Sequence, residues 1–326
     1  MRVRKLNIDL KLIGIIALSY LTCTFPLAEY IQDPLVLQDV QQNIYNVSRS
    51  YFFLINKGYI DFFDYFKSQW LWAYCAVYFS ELLESEELYF MIIGGINFFV
   101  YACFIYKNVR FNTIFLLLLP IQIVFLIYQP RLAFGCSLWI LGILSSNVKR
   151  KYFLFLLSLL VHNAMFVIVG SYFVINMIAT LKVAKFETQK KIALTILFSF
   201  LVNFIVGPLI SVFTNLLDRG DSSRYEGDSL SASVVSSGFW GLIAVLFIID
   251  ILRTEKVNIY KLFAIFFTLF PVFSFLFSSG YPYRFLTVGM PFVVIGIFRT
   301  SRTRKKMLLL MYILFGLYTS LSFYKF

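Results

Sequence analysis

Charge is scarce in this sequence. Only 14% of its 326 residues are Asp, Glu, Lys or Arg, against roughly 25% in a soluble domain. So few charges cannot cover a water-facing surface, which excludes a soluble fold. Histidine is reduced to a single residue, His162. The four cysteines, Cys23, Cys75, Cys103 and Cys136, stand singly in apolar stretches. No two have metal-ligand spacing, so they read as small core hydrophobes and no metal site is expected. A Walker sequence and a Gly-rich phosphate loop are both missing, and the basic loops are too short for a nucleotide-binding domain. No cofactor is implied, and any work is done without ATP. Internal repeats, low-complexity tracts and coiled-coil heptads are absent as well.

What is abundant is apolar: 60% hydrophobic and 20% aromatic residues, with a mean hydropathy of +0.80. Apolar runs long enough to cross a bilayer as helix, about 17–25 residues, recur from Leu6 onward. They are continuous rather than alternating, which argues against a barrel and for helices that satisfy their own backbone groups. Spans are expected at about 6–28, 88–106, 111–128, 132–147, 192–214, 236–251, 260–278, 285–299 and 307–323. The first follows Met-Arg-Val-Arg-Lys, has no small-residue cleavage site and ends at Phe25-Pro26, so it reads as an uncleaved helix. Residues 152–181 are too long for one span and carry His162-Asn163 near the middle. They read as a helical hairpin or two short helices, with His162 near the turn. The expected fold is all-α: one integral membrane domain over 1–326, a polytopic transmembrane helix bundle of about 9–11 spans.

The formal net charge of +12 is a topology signal. The clusters Arg2–Lys5, Lys107–Arg110, Lys149–Lys151, Lys182–Lys191, Arg253–Lys256 and Arg299–Lys306 fall on one face of this arrangement. By the positive-inside rule that face, and the N-terminus, are cytoplasmic. The opposite face is mildly acidic, so nucleic acid is not an expected partner. Residues 69–83 would invert two of the basic clusters if they spanned. They are expected instead as an interfacial or partly inserted helix at the outer face. Two extracytoplasmic loops are long enough to act, about 29–87, rich in Asp and Tyr, and about 215–235.

The cations that defy the inside bias are the informative ones: Arg131, Arg219, Arg224 and Arg284. Arg131 follows Tyr128-Gln129-Pro130, and Arg284 follows Gly280-Tyr281-Pro282-Tyr283. Each sits where a proline opens an outward-pointing helix. Free N–H groups and the positive dipole end suit an anion there, and a guanidinium matches phosphate with two parallel hydrogen bonds. A shared anion site is expected, the plainer alternative being arginines that snorkel to headgroups or pair with loop acids. His162 lies in an apolar stretch at membrane depth, where a polar group marks function by default; it is otherwise a hydrogen-bonded packing residue. In the second loop Arg219, Arg224 and Tyr225 are set among Asp218, Asp221, Glu226 and Asp228. They read either as a solvated loop or as a lid reaching a polar substrate. Tyr281 and Tyr283 are candidate sugar contacts, although aromatics are common at membrane interfaces.

Gln129-Pro130-Arg131-Leu132-Ala133-Phe134, a basic turn, and then His162-Asn163-Ala164-Met165 together resemble the core of the Wzy/EpsG-like polysaccharide polymerases. That pattern is roughly Arg-Gln-x-x-Ala, a basic turn, then Phe-His-x-Ser-Ala; Leu132, Val161, Asn163 and Ala164 depart from it. Tyr283-Arg284-Phe285, with Pro291 downstream, is similar to the family's late arginine. The resemblance implies a glycosyltransferase with a GT-C-like membrane fold in the bacterial cytoplasmic (inner) membrane. Such enzymes make O-antigen, capsule or exopolysaccharide by joining undecaprenyl-pyrophosphate-linked oligosaccharide units at the outer face. Arg131 and Arg284 would then hold the pyrophosphate, Arg224 would help from the lid, and His162 would deprotonate the acceptor hydroxyl or orient a phosphate. Membrane lipids, a flippase and a chain-length regulator are the implied partners. A lipid-linked glycan transporter or flippase and, further off, a membrane acyltransferase are the other readings.

Overall fold

Apolar runs in a chain this poor in charge fold as helices. The computed structural model describes residues 9–24, 70–181, 187–208, 233–277 and 282–323, and among them there is helix and no strand. In chain order the helices are α1 Leu10–Thr24, α2 Trp70–Leu82, α3 Glu86–Asn108, a 3-10 segment Phe111–Leu118, α4 Pro120–Tyr128, α5 Pro130–Leu144, α6 Val148–Val161, α7 Ala164–Thr180, α8 Glu187–Val206, α9 Val234–Thr254, α10 Ile259–Phe277, α11 Pro282–Phe298 and α12 Arg302–Phe323.

Among the described residues α3, α8, α9 and α10 are long and apolar enough to cross a membrane. The 3-10 segment and α4 add a fifth if they count as one span. Four shorter apolar helices accompany them: α1, α5, α7 and the Arg284–Phe298 part of α11. Large apolar side chains stand exposed along these helices, among them Leu21, Phe115, Leu197, Leu201, Leu242 and Leu314. Water would penalise such a surface and hydrocarbon would not. The arrangement fits a multi-pass membrane protein.

Two stretches refine the expected spans. The run 111–128, expected as one span, breaks at Leu119, where its two halves meet at 83°. Pro120 is the cause: it excludes the preceding residue from the α region, and Leu119 is accordingly extended at φ −63°, ψ 139°. Residues 152–181 form two helices, α6 and α7, separated by His162 and Asn163. Helix α2 is described over Trp70–Leu82, within the 69–83 stretch expected at the outer face.

The chain divides into two compact units, residues 1–166 with 316–326, and residues 167–315. In the first, α3 is central. Ser85 caps it by accepting from the Leu88 N–H, Glu86 and Glu87 lie in its first turn and Lys107 in its last, each charge placed to suit the helix dipole. It packs against α1, α2, α4 and α5. Buried Asn97 ties three of these helices together. Its amide donates to the Leu126 carbonyl at 3.2 Å, and its oxygen accepts from Ser137 Oγ at 2.9 Å. Leu126 lies in a π-helical turn over Val124–Tyr128. At the bend the chain approaches itself: a Cβ on Gly316 would fall 2.5 Å from Leu119 Cδ2.

In the second unit α10 is central, packed against α8, α9 and α11. Phe263 meets Phe292 at 4.7 Å between ring centroids, and Phe270 meets Phe285 at 4.9 Å. Ser199 and Ser237 donate to the carbonyls of Phe266 and Pro271 at 2.9 Å, the kind of interhelical bond that hydrocarbon favours. Gly289 lets α11 approach α10, since a Cβ there would fall 2.1 Å from Phe267 Cγ and 2.4 Å from its Cβ. Those atoms lie near the backbone and cannot swing aside. Gly289→Ala is therefore expected to cost about 1–3 kcal/mol by overpacking, read as a lower unfolding temperature of the purified protein in detergent. Unchanged unfolding would show that the two helices separate freely.

Candidate functional site

Helix α5 opens as the sequence suggests. Pro130 is its first residue, Arg131 its second, and Gln129 at the cap supplies no side-chain bond to the first turn. The first N–H groups of such a helix have no partner within it. Arg131 is half-buried. Packing fixes which end of the first unit this is. Phe134, one turn past Arg131, and Val161, which precedes His162, both lie against the cluster around Trp72, Tyr89 and Phe90. Cys136 Sγ and Met165 Sδ are 3.6 Å apart. The start of α5 and the α6–α7 break thus occupy one end of this unit, and Arg131 and His162 lie there together. Tyr89 Oη and Gln129 Oε1, at the same end, are buried without a hydrogen-bond partner among the described residues.

His162 serves both helices beside it. It ends α6 in an extended conformation, its N–H donating to the Ser158 carbonyl at 3.3 Å. Its Nδ1 accepts from the Ala164 N–H at 3.0 Å, and its carbonyl accepts from the Met165 N–H at 2.9 Å. An Nδ1 that accepts carries no proton, so in the neutral ring the proton sits on Nε2. In this tautomer the imidazole carries its proton on Nε2 and offers no basic nitrogen there. That favours orienting an oxyanion over deprotonating a hydroxyl, since a proton on Nδ1 would face the Ala164 N–H.

Arg284 repeats the Arg131 pattern in the second unit. It is half-buried in the first turn of α11, which begins at Pro282, and its carbonyl accepts from Thr287 Oγ1 at 2.9 Å. Tyr283 falls in the same turn. Arg219, Arg224, Tyr225 and Tyr281, and residues 29–69 of the first loop, lie outside the described residues. Among the described residues no group of three or more His, Cys, Asp or Glu is placed to hold a metal, and the four cysteines are free thiols.

Sequence reasoning missed a buried ionic cluster in the second unit. Asp250, fully buried near the end of α9, accepts from Lys261 Nζ on α10, from Arg304 Nε on α12 at 2.6 Å and from the Ser301 N–H at 3.1 Å. The signal available was an acid inside the apolar run Phe247-Ile248-Ile249-Asp250-Ile251, because a carboxylate at that depth needs a partner. Asn97 carries the same kind of signal in α3. No family model, no curated protein and no solved structure matches this chain.

Proposed function

We propose that this chain is a polysaccharide polymerase of the Wzy/EpsG-like kind, a glycosyltransferase of the bacterial cytoplasmic membrane. It would join undecaprenyl-pyrophosphate-linked repeat units at the outer face. The observation that carries the reading is that Arg131 and His162 lie at the same end of the first unit, beside the proline-started N-terminus of α5. An anion there finds a guanidinium, backbone N–H groups and an imidazole N–H. In the reaction the bond between the growing glycan and the lipid pyrophosphate breaks. A bond to a hydroxyl of the incoming unit forms, and the proton that hydroxyl loses leaves with the departing pyrophosphate or passes to water. Negative charge develops on the departing pyrophosphate, which is where fixed donors accelerate a reaction most. Arg131 and His162 take that role, and Arg284 is the second candidate for it. Gln129 Oε1 and Tyr89 Oη are the polar atoms that hydroxyls of a sugar would satisfy. In this reading the four shorter apolar helices also cross, which with the four or five longer candidates makes eight or nine crossings among the described residues toward the expected total of about 9–11, with the basic clusters in the cytoplasm.

The glycan profile of a deletion strain tests this. Single repeat units on lipid are expected to accumulate at the outer face, with long chains gone. Accumulation at the inner face makes the chain a transporter instead, and unchanged polymer removes both readings.

A further inference from the structure

The second unit holds a cavity of about 320 Å³, at the lower end of the range for small-ligand sites, about 300–1,000 Å³. It lies among helix ends, between the close of α9, the start of α10 and the turn from α11 to α12. Three cations line it, Lys256, Lys261 and Arg299, together with Asn258, Thr300 and Ser301, and no carboxylate does. Asn258 Oδ1 accepts from the Tyr260 N–H at 2.9 Å, which leaves its amide N–H groups as donors. Thr300 turns its hydroxyl to the Ile297 carbonyl at 2.7 Å, so Ser301 supplies the hydroxyl donor.

Lys261 decides the electrostatics. It is only 3% exposed and is held by Asp250, but Asp250 is also held by Arg304. One carboxylate thus answers two cations, and the cluster keeps a positive charge at the cavity wall. Lys256 and Arg299, both exposed at the rim, add to it. A wall rich in cations and N–H or O–H donors suits an oxyanion, and basic pockets at helix ends are where phosphate headgroups dock.

We propose that this cavity binds a phosphate group, carried either by a phospholipid headgroup or by a soluble phosphate ester. The proposal does not rest on the polymerase reading. Two probes separate the sources, each applied to the purified full-length protein in detergent. Phosphatidylglycerol is titrated by native mass spectrometry, and inorganic phosphate by calorimetry. One of the two is expected to bind, with Lys256→Gln and Arg299→Gln each weakening it about ten- to a hundred-fold, as loss of a charge-assisted contact does. Arg299→Lys is expected to fall between Arg299→Gln and wild type, because charge remains and the two-pronged geometry does not. Both positions are at the surface, and unfolding temperature checks that the variants fold. Phosphatidylglycerol binding with this cation dependence assigns the site to a headgroup. Phosphate binding with the same dependence assigns it to a soluble ester. If neither probe binds, or binding is equal in the double glutamine variant, the proposal is overturned.

Discussion

Asp250→Ala is expected to lower the stability of the second unit by about 3–5 kcal/mol, the usual effect of removing one partner from a buried ion pair. Asp250 is fully buried and Lys261 is 3% exposed, so the substitution leaves an ammonium in the interior with no carboxylate to meet it. Arg304, at 15% exposed, has a route to water and suffers less. The Ser301 N–H also loses its acceptor, which frees the turn between α11 and α12. With about 2–4 °C per kcal/mol for a domain of this size, the unfolding temperature in detergent should fall by on the order of 10 °C. Asp250→Asn should fall between alanine and wild type, since an amide oxygen still accepts but carries no charge. The double variant Asp250→Leu, Lys261→Met should recover much of the loss, because apolar residues often replace a buried pair at little cost. Wild-type stability in Asp250→Ala would mean that α9, α10 and α12 are held by apolar packing alone.

Arg131 and His162 should behave differently from Asp250, with activity falling and the fold surviving. Arg131→Lys keeps the charge at the start of α5 and loses the planar pair of donors. Loss of one charge-assisted contact to a buried anion costs about 1.5–3 kcal/mol. That is about ten- to a hundred-fold in rate where the contact acts in the transition state. For His162 the choice of substitution separates two roles. Alanine removes both the cap on Ala164 N–H, about 0.5–2 kcal/mol, and the Nε2 donor. Asparagine keeps the cap, because its oxygen can accept where Nδ1 did, and loses the reach of Nε2. His162→Asn should therefore be present in the membrane at wild-type level and make little long-chain glycan. Polymer of normal length from His162→Asn would reduce the histidine to a cap, and normal polymer from Arg131→Lys would remove the arginine from the site. Arg284→Lys in the same assay tests the second arginine by itself.

What the sequence made legible was local. The apolar runs, the break at His162-Asn163 and the proline starts before Arg131 and Arg284 are each written within a few residues, where periodicity and proline act. The bend at Leu119 was also written locally, in Pro120, but a hydropathy run passes over it because both sides of the bend are equally apolar. Asp250 with Lys261 and Arg304 was out of reach for another reason. Arg304 is far along the chain, on another helix, and looked like one more member of a basic cluster that only marked topology. Asn97 with Leu126 and Ser137 has the same character. A single polar residue in a span announces that it has a partner without saying which one.

The division of the chain has a consequence for how the protein is made. Leu119 leaves the ribosome early, along with the residues that form the first unit. The glycine that closes over it, Gly316, emerges only after the whole of residues 167–315. Throughout that interval Leu119 is without the backbone it later packs against. The first unit is therefore the first to start and not the first to finish. Its completion waits on synthesis of the second, so a translational pause or a stop codon anywhere in 167–315 leaves both units incomplete.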